Sequence, residues 1–351
     1  MKKKKNQKKK ERRKSLILLL FLTIIMFGTS TYAWFTANRQ VTINSIDVNV
    51  ASTGGIQIST NAANWKSVVT TADITTGAYD DNVNQLPQAM GAVSTDGTVA
   101  NGRLNMYRSV IGNTALEGAY SIQTILESDA KGTTGNYIAF DVFLKVDEDQ
   151  LVYLTNGSHV DNTDDTDKGL KNSARVAFVT LGNAASTAQI SDITSLNTAA
   201  APVIWEPNCD SHANIATQAT EFGVTLNDTS SATGTNDATT YYGVNQAIPA
   251  TVTVDSVVQG VPLKDVVKTG AFNGTTYATR MQTTTGGITL LRTPVAYSAA
   301  TTYQQLLSLR AGVTKVRIYM WVEGQDIDCE NSASGSNIQF NLQLSTLSSA
   351  S

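Results

Sequence analysis

Two histidines, His159 and His212, and two cysteines, Cys209 and Cys329, supply all the imidazole and thiol in the 351 residues. Glu206, Cys209 and His212 follow one another at intervals of three, with Asp210 beside them. Carboxylate, thiolate and imidazole are donors that zinc accepts, but a structural zinc site needs four protein ligands and no second pair follows. Pro207 also favours a turn here. The segment therefore reads as a loop carrying a cysteine available for a disulfide. A Cys–His nucleophile would further need an orienting partner and an electropositive setting. Asp161, Asp164, Asp165 and Asp167 form an acidic loop whose oxygens suit calcium, although the glycine that turns an EF-hand loop is missing. Glu323, Asp326, Asp328 and Glu330 make a second acidic turn of the same kind. For both, the plainer reading is a solvated loop. The sequence contains no HExxH, no GxSxG and no phosphate-cradling glycine loop, so no catalytic residue, enzyme activity or cofactor is expected.

The elements that would position such groups follow a segment of different character. Ten of the 26 basic residues fall in the first fourteen positions, against the single acid Glu11, which gives that stretch a charge of +9 and leaves −12 on the rest. An apolar run (SLILLLFLTIIMF) and a small-residue junction (GTSTYAW) complete the three parts of a secretory signal peptide. Thr31 and Ala33 suit the positions before a cleavage point, which would make Trp34 the new N-terminus, and Gly28 with Ser30 is a weaker alternative. The rival is a retained anchor, because Leu16 to Phe35 gives about the 20 residues that span a bilayer. In an exported chain Cys209 and Cys329 invite a disulfide, worth about 4–5 kcal/mol for so long a loop. Two buried thiols are the alternative. The sixteen basic residues beyond the leader are scattered, which argues against a nucleic-acid partner.

Thr31-Tyr32-Ala33-Trp34-Phe35 at the end of the leader, followed by Val41-Thr-Ile-Asn-Ser-Ile-Asp-Val-Asn-Val50, resembles the TasA/camelysin group of Gram-positive bacteria. The resemblance covers about fifty residues. It implies processing by the signal peptidase SipW, a jelly-roll fold and assembly into extracellular fibres. The C-terminal stretch from Val316 to Ser345 looks like the end of longer Bacillota surface proteins with a similar leader. Camelysin has been described as a protease, but no residues that would carry that activity stand in this chain.

Past the leader the apolar pattern has a period of two. Phe35, Ala37, Val41 and Ile43 are odd-numbered, whereas Ile46, Val48 and Val50 are even. A slip at Asn44-Ser45 turns the buried face over, either through a bulge or because the two halves belong to different sheets. Gly54-Gly55 suggests a hairpin into Ile56–Ile58, and VVTTADITT is a strand candidate. Ile138, Phe140, Val142, Leu144 and Val146 share one face of the clearest strand, with a turn at Asp147–Asp149 and a return at Leu151–Leu154 that reads as a hairpin. Further strands are expected at 170–179, 203–206, 250–258, 287–291, 316–321 and 338–344, the last two pairing around one loop. Residues 190–200 are a helix turn or a strand edge. Helices are expected over Leu104–Ile111 and from Thr301 or Thr302 to Arg310, the latter ended by Gly312.

Many short strands and little helix predict an all-β antiparallel sandwich. The division is a signal peptide or anchor over 1–33, a donor strand over 34–45 and a β-sandwich domain over 46–351. Two functions fit. One is an exported fibre subunit in which Phe35, Ala37, Val41 and Ile43 are donated to a neighbouring copy. The other is a membrane-anchored monomeric surface module for a glycan or matrix partner.

Overall fold

The computed structural model describes residues 40–41, 46–53, 55–77, 79–80, 82–113, 120–127, 131–162, 170–209, 251–254, 257–260, 289–324 and 337–350. The expected signal segment lies outside them. The described chain is all-β, with helix limited to α1 (Thr71–Thr76), α2 (Ile190–Thr194) and a 3-10 turn at Val295–Ala299. Among the described residues no helix is long and apolar enough to cross a membrane.

The larger sheet is centred on β8 (Ile138–Val146) and β17 (Gly312–Glu323), paired antiparallel from Ile138↔Met320 to Val146↔Gly312. β3 (Gln57–Ser59) borders β8. On the other side of β17 come β11 (Ala174–Ala184), β12 (Val203–Glu206) and β15 (Thr289–Arg292). The C-terminal end of β17 also pairs with β5 (Met90–Ala100), which continues into β6 (Arg103–Asn113) and β7 (Tyr120–Leu126) and receives β1 (Gln40–Val41). The smaller sheet runs β16 (Gln304–Leu309), β9 (Gln150–Leu154), β18 (Ile338–Ser345), β2 (Ile46–Thr53) and β4 (Val68–Thr70), with β10 (His159–Asn162) also on β18. β13 (Thr251–Val254) and β14 (Val257–Gly260) make a separate two-stranded pair.

The expected single face of β8 is present: Ile138, Phe140, Val142, Leu144 and Val146 are buried in one cluster with Val316, Ile318 and Met320 of β17. The same cluster includes Val50, Val152, Leu154, Phe340, Leu342 and Leu344, so both sheets contribute to it. Residues of the opposite parity, Ala139, Tyr319 and Trp321, enter a second cluster closed by Val93, Leu104 and Met106. All twelve residues of β17 are buried. Fully burying a Phe, Leu or Ile contributes about 1.5–3 kcal/mol each, which makes this two-sided strand the centre of the fold.

Several expectations are corrected. Neither the 54–55 turn nor the 147–149 turn makes a hairpin: β2 and β9 lie in the smaller sheet, β3 and β8 in the larger. The closing strands β17 and β18 are likewise divided between the sheets. Each of these connections crosses between sheets, so its flanking strands share a core without sharing a ladder. The pairings are not all antiparallel, since β12–β15, β17–β5 and β18–β2 run parallel.

The expected helix at Leu104–Ile111 is β6. Asn101 (φ 52°) and Gly102 (φ 73°) both occupy the left-handed region, as a two-residue hairpin turn requires, and Ala100 pairs with Arg103. The expected helix before Arg310 is β16. A register shift between Gln305 and Leu307 lets the adjacent Leu306 and Leu307 both point inward, which is how a bulge mimics helical spacing. Gly312 does not end a helix but opens β17 at φ 113°, where a Cβ would lie 2.2 Å from the Ala184 carbonyl oxygen. Finally, VVTTADITT divides. Its first three residues are β4, and the Thr70 hydroxyl accepts from the Asp73 amide while the Asp73 carboxylate accepts from the Thr70 amide, a capping box that starts α1.

Candidate functional site

Of the expected donor segment, Val41 is described as backbone, whereas Phe35, Ala37 and Ile43, like the junction Ala33–Trp34, lie outside the described residues. Gln40 and Val41 pair antiparallel with Gly91 and Met90 of β5. β2, which resumes at Ile46, pairs instead with β18 and β4 of the other sheet. The parity change at Asn44-Ser45 therefore coincides with a change of sheet. The receiving stretch of β5 is firmly held. Met90 and Val93 are fully buried, the Gly91 amide donates to the Asn136 carbonyl at 3.0 Å, and Ala92 and Val93 pair with Val322 and Glu323.

Of the metal-type residues singled out in the sequence, Glu206, Cys209, His159, Asp161 and Glu323 are described, and they form no group of three. Glu206 is fully buried between two guanidinium groups, accepting from Arg175 at 3.1 Å and Arg292 at 3.0 Å. A carboxylate so held is spoken for as an ion-pair partner, which removes it from the Glu206/Cys209/His212 reading. Cys209 is buried and its amide donates to the Thr293 carbonyl at 3.0 Å. Cys329, its expected disulfide partner, and His212 lie outside the described residues. Asp161 pairs on the surface with His159 at 3.3 Å, and Asp164, Asp165 and Asp167 are outside the description. Glu323 is not part of a solvated acidic turn. It is buried and accepts from the Ser94 hydroxyl and from the Trp321 indole. Among the described residues no three His, Cys, Asp or Glu side chains are placed to hold a metal ion.

What the fold does assemble is a charged cluster on the face of the larger sheet away from the shared core. Asp141 of β8 and Arg317 of β17 are direct cross-strand partners. Arg317 donates from Nε to Oδ1 at 2.6 Å and from a terminal nitrogen to Oδ2 at 3.0 Å, a bidentate pair. Its other terminal nitrogen donates to the Gly102 carbonyl at 3.0 Å, tying the β5–β6 turn down over β17. Lys315 lies 3.6 Å from the same carboxylate, donates to the Thr194 carbonyl at 2.6 Å and sits 5.3 Å over the Tyr79 ring. The Tyr79 hydroxyl donates to Asp141 at 2.5 Å.

Burial alone would raise the pKa of Asp141, but the Arg317 hydrogen bonds and charge, followed by the Lys315 charge, hold it below the carboxylate range. Burial and then the Asp141 charge push the Tyr79 phenol up. Burial lowers Lys315, with Asp141 opposing and Arg317 adding to the shift. Above the cluster opens a cavity of about 420 Å³, walled by Tyr79, Asp80, Arg103 and the α2 segment. The arrangement holds charge in place.

In the sequence Asp141, Lys315 and Arg317 alternate with apolar residues, as on a solvated face, so periodicity does not announce this cluster. The overlooked signal is that the same parity carries Phe143, Tyr319 and Trp321, too much aromatic area to leave in water. Compared with known proteins, the chain matches no family model, no curated protein and no solved structure.

Proposed function

We propose that the chain is an exported structural subunit which polymerises head-to-tail into an extracellular or cell-surface fibre by β-strand donation, from a jelly-roll-like sandwich of the TasA/camelysin kind. The observation that carries this reading is the change of sheet between Val41 and Ile46. A segment that leaves one sheet and joins the other through residues 42–45 is attached to its own β5 by a short strand at the chain's start, and cleavage after Ala33 would leave its other end free. The same place on a neighbour's β5 offers the same ladder. Burying Phe35, Val41 and Ile43 there contributes about 1.5–3 kcal/mol each, against an association cost of at least about 4 kcal/mol. Main-chain pairing supplies the rest, as in β-augmentation. Since each copy both gives and receives, the contact is heterologous and propagates unless it closes into a ring. The reading gives the chain no catalytic residue and no cofactor; its partners are copies of itself and, during export, a signal peptidase.

A second reading, a membrane-anchored monomeric surface module, draws on the fact that Gln40–Val41 pairs within its own chain. Deletion of Trp34 to Ile43 behind an intact cleavage site separates the two. Under strand donation the secreted product is a folded monomer by size-exclusion chromatography and gives no filaments by electron microscopy, whereas the undeleted protein forms them. Filaments of unchanged appearance from the deleted protein would falsify donation by this segment.

A further inference from the structure

The 420 Å³ cavity is lined by the cations Lys315, Arg317 and Arg103 and by the carboxylate Asp80, and Asp141 lies behind Lys315 and Arg317 as their shared partner. Three cations against two carboxylates leave one positive charge, and Lys315 and Arg317 are each only 4% exposed. Neither can swing into solvent, since Arg317 is fixed by Asp141 and the Gly102 carbonyl and Lys315 by the Thr194 carbonyl. A charge held in this way is preorganised for an anion, because no side-chain freedom is lost on binding. The rim is different in kind. Ser191, Ser195 and Asn197, all exposed and on or just after α2, line it with hydroxyls and an amide, groups that exchange hydrogen bonds with hydroxylated ligands. Asp80, also on the wall and exposed, is offset in sign by Arg103, so the balance favours a single negative charge. The volume falls at the small end of the range of about 300–1,000 Å³ typical of ligand sites, enough for one ring and not for a chain.

We propose that this cavity binds a small hydroxylated monocarboxylate, of which a single hexuronate is the type, with the carboxylate against Lys315 and Arg317 and the hydroxyls against the α2 rim. The site is independent of the strand-donation reading, since none of its residues belongs to the donor segment or to the stretch of β5 that receives it.

Calorimetric titration of the folded full chain with sodium glucuronate tests the proposal, with glucose, acetate and inorganic phosphate as companions. Glucuronate is expected to bind saturably, and each companion, lacking the hydroxyls or the single carboxylate, about tenfold more weakly or worse. Ser195→Trp, made at an exposed rim position, is expected to fill the mouth and abolish glucuronate binding without moving the melting temperature. A disaccharide ending in glucuronate that binds as well as the monosaccharide assigns the site to polymer ends. Binding of the monosaccharide alone assigns it to the free sugar acid. Absence of saturable glucuronate binding to the folded wild-type chain, equal binding of acetate or phosphate, or wild-type binding by Ser195→Trp overturns the proposal.

Discussion

The outward face of the smaller sheet and the outward face of the larger one begin from the same sequence pattern, polar residues alternating with apolar ones, and end in opposite environments. On β18 Gln339, Asn341 and Gln343 alternate with the buried Ile338, Phe340, Leu342 and Leu344, and the amides stay at the surface. Asn49 donates to Asn341 at 3.2 Å, and Asn341 meets His159 at 3.0 Å, a row of polar contacts across three strands. On the larger sheet Asp141, Arg175, Glu206, Arg317 and Glu323 hold the alternate positions, and each is less than 5% exposed. Segments inserted between strands cover that face, where Asp141 pairs with Arg317 and Glu206 with Arg175 while Glu323 accepts from Ser94 and Trp321. Polar alternation thus marks a water boundary on one sheet and a second buried layer on the other.

The difference has energetic consequences that can be measured. The largest effect is expected from Asp141→Asn, which leaves Arg317 and Lys315 buried without their carboxylate; breaking a buried pair costs about 3–5 kcal/mol, to be read from urea denaturation at neutral pH. The pH dependence sharpens this. The carboxyl of Asp141 titrates below its ordinary 3.8 in the folded chain, so its contribution is complete above about pH 4, where the unfolded group is ionised, and is lost as pH falls through the lower folded value. The gap between wild type and Asp141→Asn should therefore be constant near neutrality and close in acid. Next in size is Thr70→Ala at the edge of the smaller sheet, where loss of the α1 cap should cost about 1 kcal/mol by the same denaturation assay. Smallest is Asp161→Asn. Its pair with His159 is about half exposed on both sides, and a change within about 0.5 kcal/mol is expected. The same substitution at two aspartates thus probes the two faces directly. Similar losses at Asp141 and Asp161 would break the comparison.

How much of this could be read beforehand depends on what periodicity encodes. The run from Ile138 to Val146 declares a strand and its buried side, because side chains alternate faces by geometry. It does not declare a partner. Asp147–Asp149 would look the same closing a hairpin or bridging two sheets, and only the tertiary arrangement distinguishes them. Two segments with helical spacing are strands for local reasons, one because of the left-handed Asn101-Gly102 turn and the other because of the Leu306-Leu307 bulge. The parity slip at Asn44-Ser45 was the most informative signal, since it coincides with the passage from β5 to β18. The cavity was not legible, because Tyr79, Arg103, α2 and Arg317 converge from four distant parts of the chain.

The parallel ladder between β2 and β18 runs through eight consecutive residue pairs, from Ile46↔Ile338 to Thr53↔Ser345. It joins positions 292 apart in sequence and occupies the middle of the smaller sheet, with β9 and β10 on its far side. A chain that emerges N-terminus first can pair β2 with β4 early, but the other edge of β2, and the part of the shared core that β18 closes, waits for residues 338–345. Contacts of such separation form slowly, because the entropy of closing the loop must be met before any pairing rewards it. In vectorial synthesis the completion of the smaller sheet is therefore set by the arrival of β18 and not by the emergence of β2.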